Sequence, residues 1–164
     1  MSAPPGDPWL ADLLALKRTP RTGWFLIGVT RPESVADHSF AVGLMAWRAA
    51  RAAGLDAGKA LLMGLLHDFH EAQLGDLPSP VKARLAVSGL AAAEARIQSE
   101  QWEGWAPEIL ALFAELAAGG SAEARLVQAL DKAELRLQAE RYLAEGYAEA
   151  RSFLAPAGEA GSGG

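Results

Sequence analysis

The sequence predicts an all-α protein, a compact single-domain helical bundle of the kind that buries one apolar core. Apolar residues recur with the 3.6-residue period of a helix over several long stretches. Most of these stretches begin at residues that favour helix N-caps, and several end at glycines. Only residues 24–27 have the apolar character of a strand, and one short run cannot form a sheet.

Helix boundaries follow from the capping residues. We expect helices over residues 8–17, 34–53, 57–73, 81–85, 91–102, 107–118 and 122–145. Asp7 is expected to cap the first helix, with Pro8 in its first turn, and Asp56 is expected to cap the third. Gly54 should end the second helix in a left-handed conformation. Ser121 should cap the long final helix.

Two proline-containing stretches are expected to be irregular. Residues 18–32 hold Thr-Pro, Thr-Gly and Arg-Pro and should form a loop, and the two prolines in residues 76–80 should exclude helix there. The chain of 164 residues is long enough for one buried core, so residues 1–155 are expected to form a single domain. Residues 156–164, rich in glycine and alanine, are expected to form a flexible tail.

Composition excludes several classes of function. The net charge of -5 leaves no surplus of basic residues to neutralise a polyanion, so a nucleic acid polymer is not an expected partner, whereas a small phosphorylated substrate is. The absence of cysteine excludes disulfides, thiolate metal sites and a cysteine nucleophile. No apolar run approaches the roughly 20 residues of a membrane span, and no signal peptide is seen, so we expect a cytoplasmic protein without membrane contact.

Two histidines and two carboxylates lie at positions that suit a divalent metal. His38 lies near the start of the second helix, His67 and Asp68 follow an apolar helical run, and Asp131 interrupts the apolar side of the final helix. This mixed nitrogen and oxygen set suits Mn, Fe, Co, Ni or Zn better than an ion that prefers thiolates. Taken singly, each position has another interpretation. His38 could be a hydrogen-bonded core histidine, the helix end at His67 and Asp68 could be solvated, and Asp131 could form a salt bridge.

The third helix contributes another carboxylate beside the His-Asp pair. Glu71 lies four residues after His67 and three after Asp68, so these side chains should share one face of the helix. His70 lies on the same helix and is expected to be a surface residue outside the site.

Beyond these positions the sequence resembles the HD-domain metal-dependent phosphohydrolases, whose motif is a histidine, then His-Asp, then a distant aspartate. Five segments resemble the 5′-deoxynucleotidase branch in particular, namely residues 16–24, 31–38, 67–72, 75–78 and 121–131. The resemblance covers roughly residues 10–145. It implies a hydrolase of nucleotide metabolism that converts deoxyribonucleoside 5′-monophosphates to deoxynucleoside and phosphate, and that works as a homodimer.

The resemblance also assigns roles to individual residues. It implies one main divalent cation (Mn, Co, Mg, Fe, Ni or Zn), with the ligands His38, His67, Asp68 and Asp131. Glu71 matches a catalytic residue beside the attacking water, and Arg21 matches one that grips phosphate. The implied substrate contacts are Arg21, Trp24, His38, Asp68, Asp76, Leu77, Pro78, Ser79 and Asp131. Some members of the family hold a second ion at the positions of Glu71, Asp76 and Leu77.

Two other functions compete with the deoxynucleotidase hypothesis. One is an HD phosphohydrolase of different nucleotide specificity, and the other is a non-catalytic helical binding protein with a structural metal. Glu71 and Arg21 argue against the second alternative, because a structural metal site needs neither a group that acts on water nor a phosphate clamp.

Overall fold

A computed structural model describes residues 7–85, 88–104 and 106–154, and these residues confirm the all-α prediction. The α-helices are α1 (Pro8–Leu16), α2 (Val35–Ala53), α3 (Ala57–Leu66), α4 (Glu71–Leu74), α5 (Ser79–Leu85), α6 (Leu90–Trp102), α7 (Glu108–Ala118) and α8 (Ala122–Ala144). Two 3₁₀ helices, Thr22–Ile27 and Ala148–Phe153, complete the regular structure of the described residues. The tail predicted over residues 156–164 lies outside them.

The predicted helix caps are confirmed. Asp7, Asp56 and Ser121 each accept a hydrogen bond from a backbone N–H in the first turn of the helix that follows. Gly54 ends α2 with a φ of 69°, the left-handed conformation that favours glycine. These local signals lie in the sequence itself, because each cap satisfies backbone groups that the helix leaves unpaired.

The structure corrects two sequence predictions before residue 75. Residues 24–27, expected within a loop, belong to a 3₁₀ helix, which the Gly28 N–H closes on the Phe25 carbonyl. Helix α3 ends at Leu66, not near residue 73, because the next backbone bonds span three residues instead of four, as from the Glu71 N–H to the Asp68 carbonyl. A turn over residues 67–70 therefore separates α3 from α4.

The exclusion of helix from residues 76–80 is also partly wrong. Helix α5 begins at Ser79 and contains Pro80 in its first turn. A proline is tolerated there because the first N–H groups of a helix have no partner within the helix.

A glycine contact joins α2 to α3 next to the candidate site. A Cβ atom built on Gly64 would lie 2.7 Å from the Cα of Gly43, so the two backbones meet more closely than side chains would allow. Gly64 precedes His67 by one turn, and Gly43 follows His38 by five residues. The imidazole centroids of the two histidines are consequently only 5.3 Å apart.

Buried apolar clusters hold the remaining helices around this contact. One cluster joins α2, α3 and α8 through small and medium side chains, namely Val42, Ala46, Ala50, Ala60, Met63, Ala124 and Val127. A second packs the first 3₁₀ helix against the end of α8 through Trp24, Ala139 and Tyr142. None of the described helices is both long enough and apolar enough to cross a lipid bilayer.

Candidate metal centre and active site

Four predicted ligands converge from three parts of the chain. His38 lies on α2, His67 and Asp68 lie on the turn after α3, and Asp131 lies on α8. The Nε2 atom of His38 is 3.1 Å from Asp131 Oδ1 and 3.9 Å from Asp68 Oδ2. The Nε2 atom of His67 is 3.1 Å from Asp68 Oδ2 and 3.9 Å from Asp131 Oδ1. Both Nε2 atoms therefore face the same pair of carboxylates.

The second nitrogen of each imidazole is held by a fixed acceptor. His38 Nδ1 donates to Glu134 Oε2 at 2.5 Å, and His67 Nδ1 donates to the Gly64 carbonyl at 2.9 Å. His67 Nε2 is buried next to Asp68 Oδ2, at 3.1 Å. Donation through Nδ1 directs the Nε2 lone pair toward the carboxylates, which is the arrangement that a metal-bound histidine needs. The residues thus fit a divalent cation.

Charges in the metal-free site are strongly perturbed. Burial alone would lower the pKa of His38, but hydrogen bonds to Asp131 and Glu134 outweigh it and raise that pKa to about 9. Burial would raise the pKa of Asp68, but His67 and the other nearby cations hold it well below its usual range. Two ionised aspartates therefore share this site with protonated imidazole, and a cation that enters must displace the proton on Nε2.

Glu71 is a buried carboxylate beside the metal centre. Its side chain is 1% exposed, and Oε1 accepts a hydrogen bond from Lys82 Nζ at 3.1 Å. Oε2 is buried and has no hydrogen-bond partner in the part of the chain that the structure describes. Burial, reinforced by the negative charge of Asp68, raises the pKa of Glu71 to about 8. A carboxylate with a pKa near neutrality is suited to accept a proton from water.

Arg21 lies at the edge of the metal centre and not in an exposed loop. Its Nη1 atom is 3.2 Å from Asp68 Oδ2 and 3.5 Å from Asp76 Oδ1. Asp76 is itself fixed, because the Thr22 hydroxyl and the Thr22 backbone N–H both donate to its Oδ2 atom. The guanidinium is therefore positioned next to a candidate metal ligand, where it can also reach an anion.

A cavity of about 230 Å³ lies beside Arg21. Six of the predicted site residues line it, namely Arg21, Trp24, Asp76, Leu77, Pro78 and Ser79. Lys82, Leu26, Leu135 and Phe153 also line it, and none of these four had been predicted. The cavity thus has a charged end near Arg21 and apolar walls elsewhere, as a phosphorylated ligand with an apolar body requires.

Trp24 lines this cavity but is held within the core. Its side chain is 1% exposed, its Nε1 atom donates to Glu33 Oε1 at 3.0 Å, and its ring packs against Tyr142 and Phe153. The 3₁₀ conformation of residues 22–27 turns the indole inward, which the strand-like sequence pattern did not indicate.

His70 is buried, and its prediction as a surface residue is wrong. It is 7% exposed, and its Nε2 atom is 3.7 Å from Glu94 Oε1 on α6. The cause is the early end of α3, because the turn that follows points His70 away from solvent. Burial lowers the pKa of His70.

Sequence reasoning also missed Glu134 and Lys82. Glu134 follows Asp131 by three residues on α8, a spacing that places both carboxylates on one face of the helix and could have indicated a shared partner. Lys82 carried no local signal, because its role depends on how α5 packs against the buried Glu71.

The profile of the HD domain matches residues 13–157. The chain belongs to the HD-domain family. Its relatives include human 5′-deoxynucleotidase HDDC2, which is 35% identical over 129 residues, covering 77% of this chain and 63% of the human protein. The match thus spans less than two thirds of that relative's length.

Two solved structures resemble this HD-domain protein over most of its length. A conserved hypothetical protein from Pyrococcus furiosus has a TM-score of 0.79 and 32% identity, with 90% of this chain and 84% of that chain covered. The HD phosphohydrolase DatZ of cyanophage S-2L, solved with dA and one catalytic Zn²⁺ ion, has a TM-score of 0.60 and 30% identity, with 78% and 68% covered.

Proposed function

We propose that this HD-domain protein is a divalent-metal-dependent 5′-deoxynucleotidase that hydrolyses deoxyribonucleoside 5′-monophosphates. The observation that carries the proposal is the convergence of His38, His67, Asp68 and Asp131 beside Arg21, which itself lines the neighbouring cavity. The name of the human relative and the ligands of the cyanophage enzyme support the same substrate class.

The four convergent side chains would hold the main cation. His38 and His67 would bind through Nε2, and Asp68 and Asp131 would supply carboxylate oxygens. When bound, the ion polarises a phosphoryl oxygen and lowers the pKa of a bound water. A second ion at Glu71, Asp76 and Leu77 stays a prediction from the family resemblance.

Glu71 and Arg21 would divide the remaining chemistry. Glu71 would accept a proton from the attacking water, since burial keeps its pKa near neutrality. Arg21 would present its planar fork to the phosphate and stabilise the charge that develops in the transition state. The water oxygen would then bond to phosphorus as the bond between phosphorus and the 5′ oxygen breaks. The proton that Glu71 accepted would pass to the 5′ oxygen, so that the deoxynucleoside leaves with a hydroxyl group and phosphate is released.

The remaining cavity residues would position the nucleoside. The loop of Asp76, Leu77, Pro78 and Ser79 lies next to Arg21, so it would contact the sugar. Asp76 is held by two hydrogen bonds from Thr22 and cannot move aside easily, so it would crowd a 2′-hydroxyl group. Trp24 would support this wall from the core.

Phosphate release from a panel of nucleotides tests the function. Protein stripped with a chelator should release no phosphate, and adding back Mn, Co, Mg, Fe, Ni or Zn one at a time should restore release from deoxynucleoside 5′-monophosphates but not from ribonucleotides. Release from cyclic or polyphosphorylated nucleotides alone would favour an HD phosphohydrolase of other specificity. No release from any nucleotide with any metal would favour a structural metal site.

We also propose that the enzyme is a cytoplasmic homodimer. The support for a dimer is a row of exposed apolar side chains along α2, with Phe40, Leu44 and Trp47 60%, 46% and 42% exposed. Exposed apolar residues that are scattered singly need no explanation, whereas a contiguous row of them indicates an interaction surface. Sedimentation of the metal-loaded protein tests this, because a monomeric mass at micromolar concentration would contradict it.

A further inference from the structure

Lys82 connects the buried general base to the open cavity. Its Nζ atom donates to Glu71 Oε1 at 3.1 Å, yet the lysine side chain is 37% exposed while that of Glu71 is 1% exposed. An ammonium group has three donors, and the bond to Glu71 uses one of them. Because Lys82 also lines the cavity, the other two donors are available to a ligand there.

The charges around the cavity leave room for a second cationic contact with substrate. Arg21 is shared between Asp68 and Asp76, which together offset its single positive charge. A phosphate monoester brings further negative charge to the same end of the cavity. Among the residues described as lining the cavity, Arg21 and Lys82 are the basic ones.

We propose that Lys82 is a second phosphate-binding residue, which contacts the phosphate from the side of Glu71 while Arg21 contacts it from the side of Asp68. This inference rests on the proposed phosphomonoester substrate.

A purely structural role for Lys82 makes a different prediction. If Lys82 only neutralised the buried Glu71 carboxylate, removal of that carboxylate would remove the need for Lys82. If Lys82 binds phosphate, its loss weakens phosphate binding whether or not residue 71 is charged. The double variant Glu71→Gln with Lys82→Gln separates these roles, since it also leaves no unpaired buried charge.

The test is calorimetric titration of the metal-loaded protein with inorganic phosphate, a deoxynucleoside monophosphate and deoxyadenosine. Lys82→Gln should weaken binding of the first two by at least about ten-fold, the size expected for one charge-assisted contact. Deoxyadenosine, which has no phosphate, should bind as it does to the wild type. Arg84→Gln is the matched control, because Arg84 is exposed on α5 and its loss changes the net charge equally.

The double variant and the control decide the outcome. Relative to Glu71→Gln, the double variant should lose about as much phosphate affinity as Lys82→Gln loses relative to the wild type. Phosphate affinity equal to wild type in Lys82→Gln would overturn the proposal, as would an equal loss in Arg84→Gln. Equal phosphate affinity in the double variant and in Glu71→Gln would also overturn it. Hydrolysis of a deoxynucleoside monophosphate by the wild type is assayed in the same preparation. If the wild type hydrolyses it and phosphate affinity is unchanged in Lys82→Gln, the role of Lys82 is wrong and the proposed function is not affected.

Discussion

At the scale of single residues, the site depends on atoms that do not touch the metal. His38 is oriented by a charged acceptor, Glu134, and His67 by a neutral one, the Gly64 carbonyl. An imidazole that donates to a carboxylate is more basic than one that donates to a carbonyl. His38 should therefore bind a metal ion more strongly than His67. Only the acceptor of His38 is a side chain, so that interaction can be changed by substitution.

Glu134→Gln should weaken metal binding about 10- to 100-fold while the fold is retained, because glutamine keeps the shape and loses the charge. Competition with a chromogenic chelator measures the affinity. The spectrum of the Co²⁺ form checks that the ligand set is unchanged. Wild-type affinity in Glu134→Gln would mean that His38 is oriented by packing alone.

Arg21→Ala should lower kcat/KM for deoxynucleoside monophosphates by about two powers of ten at full metal loading, because a transition-state contact is lost. Arg21→Lys should recover only part of this, since an ammonium group keeps the charge but loses the planar fork. Steady-state kinetics with metal analysis of each variant gives the answer. Equal activity of Arg21→Ala and wild type on every nucleotide would remove Arg21 from the site.

At the scale of helices, the separation of α2 and α3 sets the separation of the two histidines. Gly64 lies against the backbone of Gly43, which cannot turn aside as a flexible side chain could. Any side chain at residue 64 must therefore push the two helices apart near the metal centre. The glycine is required here for space and not for its backbone conformation.

Gly64→Ala should destabilise the protein by about 1–3 kcal/mol, which is the usual cost of overpacking a core. It should also weaken metal binding. Gly58→Ala on the same helix is the control, because its Cβ would meet only Asp56 Oδ1 at 3.4 Å. That control should stay within about 1 kcal/mol of the wild type, in the stabilising direction. Urea unfolding with and without metal measures both, and equal stability of the two variants would contradict the account.

Local signals predicted the helices better than they predicted the surroundings of the site. Caps such as Asp56 and Gly54 act within a few residues, so the sequence contains all the information that they need. The packing of Tyr142 and Phe153 on Trp24, the contact of His70 with Glu94 and the bond between Lys82 and Glu71 instead depend on how separate elements pack together. The family motif indicated four residues that converge, but it contained no information on what holds them.

At the scale of the whole molecule, protonation should control stability. In the metal-free protein, burial raises the pKa of Glu33 to about 7 and that of Glu71 to about 8. The pKa of His38 is raised to about 9, because its hydrogen bonds outweigh burial. Each of these groups holds its proton more tightly in the folded chain than in the unfolded chain. Between the unfolded-state pKa and the folded-state pKa of each group, the folded chain binds more protons, so its stability falls as pH rises.

The melting temperature of the stripped protein should therefore fall as pH rises from about 5 to 9. The increase in melting temperature on adding metal should grow over the same pH range. The ion displaces the proton on His38 Nε2, and this proton is easier to remove at higher pH. Thermal unfolding at a series of pH values, with and without metal, measures both trends. A melting temperature of the stripped protein that rises from pH 5 to 9 would contradict this assignment.

Helix α8 carries Asp131 and Glu134, and these carboxylates bond to opposite nitrogens of the same His38 ring. A ring held at both ends by one helix cannot follow a slide or tilt of α2 unless one of the two bonds breaks. Local opening of α8 therefore releases the whole centre at once instead of one ligand at a time. Amide hydrogen exchange in α2 and α8 should accordingly slow together when metal is added and speed up together when a chelator removes it.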